Sequence, residues 1–290
     1  MTDENLFVLS LSRDETLKRT PLSAFGVQHR GGRGVAGTKP GEESFIRQLH
    51  VAASDDDVLV FTNHGKCYKL KAADVPEMGR YAKGQPAGKL LELSEGERVT
   101  GCASVRNLDG RQGYLVTATK KGMVKRTELS SFGKIRASGV KAIRVDEGDE
   151  LVGVAVSDGG SQIFMATRDG KSIRFDESDV RPSGRTAGGV RGIRLAEGDH
   201  VSSLVVGPQA TSVFTITENG YGKRTAFTNY RQTSRGGKGV TNVRDIGKAG
   251  HVISAMAVEG PDEIMAGSSA GKIIRFSAAD VRETGRGSTG

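Results

Sequence analysis

The stretch IFMATRDGKSIRF, Ile163 to Phe175, reads as two apolar strands around a tight turn. Asp169-Gly170 is a dipeptide that accepts the positive φ angles of a hairpin, and apolar residues fill both flanks. Arg174 stands four residues past the turn glycine and Val180 ten past it. Taken alone, the stretch is one hairpin. Its recurrence decides the fold.

The same pattern, an apolar strand, T-x-x-G and a second strand with a basic residue, is found six times. The first strands are LFVLS (from Leu6), VLVFT (from Val58), YLVTA (from Tyr114), IFMAT (from Ile163), VFTIT (from Val213) and IMAGS (from Ile264). The turns end at Gly65, Gly122, Gly170, Gly220 and Gly271, with Glu15 at the equivalent place in the first copy. Four residues beyond stand Arg19, Lys69, Arg126, Arg174, Arg224 and Arg275; ten beyond stand Phe25, Val75, Phe132, Val180, Tyr230 and Val281. A second piece recurs as VKAIRVDEGDELVG (Val140 to Gly153), VRGIRLAEGDHVSS (Val190 to Ser203) and VTNVRDIGKAGHVIS (Val240 to Ser254). Its apolar stretches around a glycine turn read as two more strands, about four per copy. Helical periodicity is hard to find.

Six four-stranded units with a period near 50 residues predict an all-β, propeller-like closed ring, with an open β-solenoid as the alternative. The expected organisation is one domain over residues 1–290, with approximate repeats 1–52, 53–107, 108–157, 158–207, 208–258 and 259–290. Arg286 to Gly290 matches Arg235 to Gly239, after which Val240 begins a strand, so the last blade is expected to be incomplete.

Lys and Arg outnumber Asp and Glu by 42 to 34, a net charge of +8 that suits a polyanion binder. No apolar run approaches the roughly 18 residues of a membrane helix. The acidic start, Met1 to Asn5, predicts no signal peptide and a cytoplasmic chain. Cys67 and Cys102 have no C-x-x-C partner and read as reduced, buried thiols. His29, His50, His64, His200 and His251 lack metal-ligand spacing, no G-x-S-x-G occurs, and Glu42-Glu43 and Asp55-Asp56-Asp57 read as solvated turn acids. These patterns predict neither catalytic residues, nor a metal, nor a cofactor. Without tryptophan there is no G-H…W-D signature, which weakens a protein-interaction platform as the rival reading.

The positive charge gathers in the connection between the two pieces of each unit. It comprises Arg30 and Arg33, then Arg80 and Lys83, Lys134 and Arg136, Arg181 and Arg185, Arg231, Arg235 and Lys238, and finally Arg282 and Arg286. In a ring these loops fall on one rim, where phosphates bound by cations release counterions. Gly32, Gly34 and Gly37 spell G-x-G-x-x-G, but the following Thr38-Lys39-Pro40-Gly41 reads as turn, not helix, so no dinucleotide site is expected. The strand column from Arg19 to Arg275 offers further contacts on an outer strand, or else protects that strand's edge.

The T-x-x-G hairpins, NGYGKRT (Asn219 to Thr225), GVRGIRLAEGD (Gly189 to Asp199) and QHRGGRG (Gln28 to Gly34) together resemble the C-terminal domain of bacterial DNA gyrase A. The resemblance covers essentially the whole chain. It implies a six-bladed β-pinwheel and a gyrase box, Q-R-R-G-G-K-G, at Gln28, His29, Arg30, Gly31, Gly32, Arg33 and Gly34. His29 replaces an arginine of that box, and Arg33 replaces its lysine with a different donor geometry. SRGGKGV (Ser234 to Val240) is a partial second copy. The paralogous C-terminal domain of topoisomerase IV, with a degenerate box and often fewer blades, is the alternative.

The implied function is sequence-independent binding and right-handed wrapping of double-stranded DNA, which lets the enzyme introduce negative supercoils. The implied partners are the DNA, the breakage-reunion domain that holds the strand-cleaving chemistry, and the ATPase subunit. The domain itself is then non-catalytic and monomeric.

Overall fold

The computed structural model describes residues 5–38, 45–208 and 211–290, and the Glu42-Glu43 pair lies outside them. Six antiparallel hairpins are present: Leu6–Ser12 with Thr16–Pro21, Asp57–Thr62 with Lys66–Lys71, and Tyr114–Thr119 with Met123–Glu128. The others are Gln162–Thr167 with Lys171–Asp176, Ser212–Thr217 with Gly222–Ala226, and Glu263–Gly267 with Lys272–Ser277. In the opening stretch, Ile163 pairs with Phe175 and Met165 with Ile173. Every residue of Gln162–Thr167 is buried because each blade lies between two others. That is why these strands read as unbroken apolar runs rather than alternating ones.

The threonine or serine opening four of the six turns has a local task. Its hydroxyl accepts the backbone N–H four residues on: Thr167 Oγ1 from Lys171 (3.1 Å), Thr119 Oγ1 from Met123 (3.2 Å), Ser12 Oγ from Thr16 (3.1 Å) and Ser268 Oγ from Lys272 (3.2 Å). Gly170 closes its turn at φ +80°, and Glu15, in the equivalent place, is held at φ +58°.

A third strand pairs with the first hairpin strand of each of the first five blades: Ile46–Ala53, Val99–Val105, Leu151–Ser157, Val201–Gly207 and Val252–Val258. These are the inner strands, and their residues line a central cavity of about 500 Å³. The fourth strand is the short first half of the second recurring piece, and it does not join its own blade. Gln85–Pro86, Val140–Lys141, Val190–Arg191 and Val240–Thr241 each pair with the hairpin of the preceding unit. The exchange closes the circle, since Val35–Ala36 of the first unit pairs with Lys272–Ser277 of the sixth.

Every exchange is fastened at the turn. Turn carbonyls accept an N–H from the incoming segment: Glu15 from Ala87, Gly65 from Ala142, Gly122 from Gly192, Gly170 from Asn242 and Gly271 from Gly37, all at 2.7 to 2.8 Å. Sequence spacing counts four strands per unit but does not reveal that neighbouring units share them. The expected incomplete last blade is accordingly spread over two sheets. Among the described residues the fifth sheet has three strands, and Glu263–Gly267 of the sixth has no inner partner.

The core is divided by the ring. Six apolar clusters fill the six gaps between adjacent blades, from Leu9, Leu17 and Val60 between the first two to Val8, Phe25 and Ile273 between the sixth and the first. Six gaps for six blades mean closure, which excludes the open solenoid. Phe164 meets Phe227 and Tyr230 edge-to-face at 6.0 and 4.8 Å across the fourth gap. Among the described residues the only α-helix is Ile246–Ala249, and no helix is long and apolar enough to cross a membrane.

Two sequence expectations need correction. Asp56 and Asp57 are not solvated: they are 9% and 5% exposed. Asp56 accepts the Ala53 N–H at 2.9 Å, and Asp57 pairs with Lys71 at 2.9 Å and accepts the Leu108 N–H at 3.3 Å, while Asp55 stays exposed as expected. Cys67 is buried as expected but Cys102 only half so; both thiols are free, and burial pushes the Cys67 thiol well above its usual range.

Candidate nucleic-acid interface

Each basic loop begins at a single 3-10 turn, such as Glu177–Asp179, and in the first five units ends at the short strand laid on the preceding blade. The residue ten past each hairpin turn ends this 3-10 turn, as its cap in five units and as its last residue, Phe132, in the third, and is at most 5% exposed, from Phe132 (0%) to Val281 (5%). The loop between those fixed ends therefore straddles two blades at the perimeter, on the side away from the inner strands. The inferred rim follows from the strand exchange.

In the first unit, Val27–Gln28 runs parallel to Lys272–Ser277 and Val35–Ala36 returns antiparallel to it. The box Gln28 to Gly34 is thus the loop that closes the ring. Gln28 Oε1 accepts the Gly34 N–H at 3.2 Å, and Gly32 N–H donates to the His29 carbonyl at 3.0 Å. Gly34 has φ +65°, and a Cβ there would stand 2.9 Å from the Ile273 carbonyl. Glycine is required by both conformation and space. Arg30 and Arg33 project from this loop, exposed. His29 is 99% exposed and lies 3.4 Å from Asp280 of the sixth unit.

The other rim cations are also exposed or half-exposed. Arg80 stacks 5.3 Å from the Tyr81 ring centre. Arg235 donates to the Asp179 and Arg191 carbonyls (3.0 and 3.2 Å) and Arg286 to the Thr241 carbonyl (3.1 Å), each reaching back onto the preceding unit. Lys134, Arg136 and Arg185 line a groove of about 840 Å³ together with Lys69 and Lys141. Lys141 was missed by loop reasoning because it belongs to the short strand, although VKAIR displays it. Of the arginines and lysines in these loops, only Lys83 forms an ion pair among the described residues, with Asp14 at 3.0 Å, while Lys69 in the groove lies 4.0 Å from Asp109.

The strand column is a different matter. Arg126, Arg174 and Arg275 are 8%, 4% and 6% exposed. Arg174 donates to the Phe227 and Tyr230 carbonyls (2.7 and 3.0 Å), and Arg275 to those of Leu22 and Phe25 (3.3 and 3.2 Å). Arg126 pairs with Glu177 (3.2 Å) and Arg19 with Glu77 (3.4 Å). Each reaches the next unit's 3-10 turn or the loop just beyond it, so the expected outer-strand contacts are inter-blade clamps instead. Arg224 is half-buried; Lys69 alone of the column opens onto a cationic groove.

Sequence reasoning also missed three lysines one residue before this column. Lys18, Lys125 and Lys223 are 6%, 1% and 1% exposed, a placement ammonium groups accept only when hydrogen-bonded. Lys18 Nζ donates to the carbonyls of Gly37 (3.2 Å), Gly79 (3.3 Å), Arg80 (2.5 Å) and Ala82 (2.8 Å). Lys125 Nζ donates to those of Ala142, Gly184 (3.0 Å) and Arg185 (2.8 Å), and Lys223 Nζ to that of Asn242 (2.6 Å). Desolvation, with Arg185 and Arg286 close by, pulls Lys125 and Lys223 each down to about 8. The triplet K-R-T in alternate copies was the available signal.

A family model described as the DNA gyrase C-terminal domain, a β-propeller, matches residues 7–46, 56–106, 113–158, 161–207, 211–259 and 262–290 in succession. The chain belongs to the DNA gyrase C-terminal domain family. Its six family matches follow the six hairpins. DNA gyrase A of Staphylococcus aureus (strain MRSA252) is 42% identical over 291 residues, covering 99% of this chain and 33% of that protein. The same protein of Staphylococcus epidermidis (strain ATCC 12228 / FDA PCI 1200) is 42% identical over 184 residues, 63% of this chain and 21% of that protein. The chain thus spans about a third of the length of the first of these relatives. A solved DNA gyrase A C-terminal domain superposes with TM-score 0.86 at 25% identity, covering 98% of this chain and 94% of that one. A C-terminal domain of DNA topoisomerase IV shares the fold at TM-score 0.72 and 24% identity, covering 100% and 89%.

Proposed function

We propose that this domain binds double-stranded DNA without sequence preference and wraps it right-handedly around the rim, enabling gyrase to introduce negative supercoils. The observation that carries the reading is a perimeter of cationic loops whose charges, Lys83 excepted, have no carboxylate partner among the described residues. Many cations elsewhere in the chain are paired, as Arg47 is with Glu15 at 2.7 Å and Lys71 with Asp57 at 2.9 Å. Unneutralised charge on a curved edge suits a phosphate backbone bent along it. Bending 20 to 30 bp by 40 to 90° costs roughly 1 to 6 kcal/mol, so contacts from several loops must act together.

In this reading Arg30 and Arg33 hold phosphate at the ring-closing loop, where the box glycines and Gln28 fix the loop shape. The other rim residues continue the path, and the Lys134 to Arg185 groove takes a stretch of it. The domain supplies no catalytic group; strand cleavage and ATP hydrolysis belong to the breakage-reunion domain and the ATPase subunit, in the cytoplasm. The test is topological. The chain is bound to relaxed circular plasmid, the circle re-equilibrated with a nicking-closing topoisomerase, and the linking number read after removing protein. A protein-dependent positive shift is expected, lost when residues 28–34 become alanine. Binding without any shift overturns wrapping.

A further inference from the structure

The hidden column alternates. Lys18, Lys125 and Lys223 occupy it in the first, third and fifth blades, while Tyr68, Ile173 and Ile274 occupy it in the second, fourth and sixth. Lys18 and Lys125 lie beneath the loop of the following, even-numbered unit, and those loops carry Gly79-Arg80 and Gly184-Arg185. The carbonyls that Lys18 and Lys125 hold include those of Arg80 and Arg185 themselves.

We propose that Lys18 and Lys125, with Lys223 at the same strand position, are positioning residues of the rim. The buried Lys18 and Lys125 ammoniums each tie the backbone of an even-numbered loop to the blade beneath, so that the rim arginine on that loop points outward to phosphate, whereas Lys223 donates to the Asn242 carbonyl of its own unit. An ammonium suits the task because it offers three donors and no acceptor, and so it can gather several carbonyls that the loop's sharp turn leaves converging. Burial strengthens these bonds and makes the loop depend on them. Odd-numbered loops rest differently: a Cβ on Gly139 would meet the Tyr68 ring at 2.9 Å, and one on Gly237 would lie 3.5 Å from Ile173. Along the second to fifth units the rim therefore alternates, one loop tied by charge and the next seated on a largely apolar side chain.

The consequence for DNA rests on the function proposed above; the geometry of the tie does not. The experiment compares the intact chain with Lys125→Met and Lys18→Met. Amide hydrogen exchange should rise about tenfold in residues 183–187 for the first and 79–84 for the second, with odd-numbered loops unchanged. The slope of log affinity for duplex DNA against log salt should become shallower by about 0.9 for each phosphate the loop no longer neutralises, which mere destabilisation of a still-folded ring does not produce. Folded variants with unchanged exchange and unchanged slope overturn the proposal. If neither variant folds, nitrogen-15 spectra of the unmodified chain decide: buried ammonium signals protected from exchange at pH 7 support the tie, and their absence overturns it. Should the unmodified chain show no salt-sensitive DNA binding, the DNA reading fails, and the exchange comparison still decides the tie.

Discussion

At the residue scale, one position shows why the hairpin turns repeat. A Cβ on Gly170 would stand 2.4 Å from the Val243 carbonyl, and its φ of +80° is unfavourable for any side chain. Gly220 has φ +79° but no atom within 4 Å of that point. Gly170→Ala should therefore destabilise by about 2 to 4 kcal/mol and Gly220→Ala by about 1, read by urea denaturation. Lys223 gives a pH test. Its proton leaves at about 8 in the folded chain but near 10.5 when unfolded, so between those values the unfolded state holds more protons. Stability rises with pH there, and the cost of burying the charge is felt fully below 8. The stability of the chain minus that of Lys223→Met should increase by roughly 3 kcal/mol at most from pH 7.5 to 10.5. A flat difference would mean the ammonium is not desolvated.

Elements were legible where local chemistry fixes them. The hairpins, their turn signals and the apolar residue ten past each turn follow from strand patterning and φ preference, and all six copies hold. The basic column at four past the turn was legible as a column but not as to its surroundings. A strand's sequence shows that a side chain leaves the sheet, not that a neighbouring blade covers it. Arg174 and Arg181 separate the two roles. Arg174→Met should lower stability by about 2 to 4 kcal/mol, since it leaves the Phe227 and Tyr230 carbonyls unpaired in a buried gap, while the DNA salt slope stays unchanged. Arg181→Ala should leave stability within about 0.5 kcal/mol and make the slope shallower by roughly 0.9. Reversed outcomes would exchange their assignments.

At the scale of the whole molecule, ring closure and the box are one structure. Val35–Ala36 seals the sixth blade directly after Gly34, so the loop proposed to hold DNA also joins the first unit to the last. Gly34→Ala, which puts a Cβ 2.9 Å from the Ile273 carbonyl, should lower the melting temperature and the linking-number shift together. Arg33→Ala should lower the shift alone. If Gly34→Ala leaves the melting temperature unchanged, the seal contributes little to stability.

The sequence by itself determined the hairpin, its sixfold recurrence and the loops in which cations gather, because turn conformation and strand patterning are local and a repeated pattern displays them six times. Only the tertiary structure decided which blade owns each short strand, which basic residues face solvent and which face a neighbour, and that three lysines lie beneath the rim. Most of those outcomes depend on contacts between residues some 50 or more positions apart, from Gly170 with Val243 to Arg275 with Phe25. A guanidinium or ammonium has the same sequence signature whether it meets water, a phosphate or a converging set of carbonyls, and the packing of the next blade selects among them.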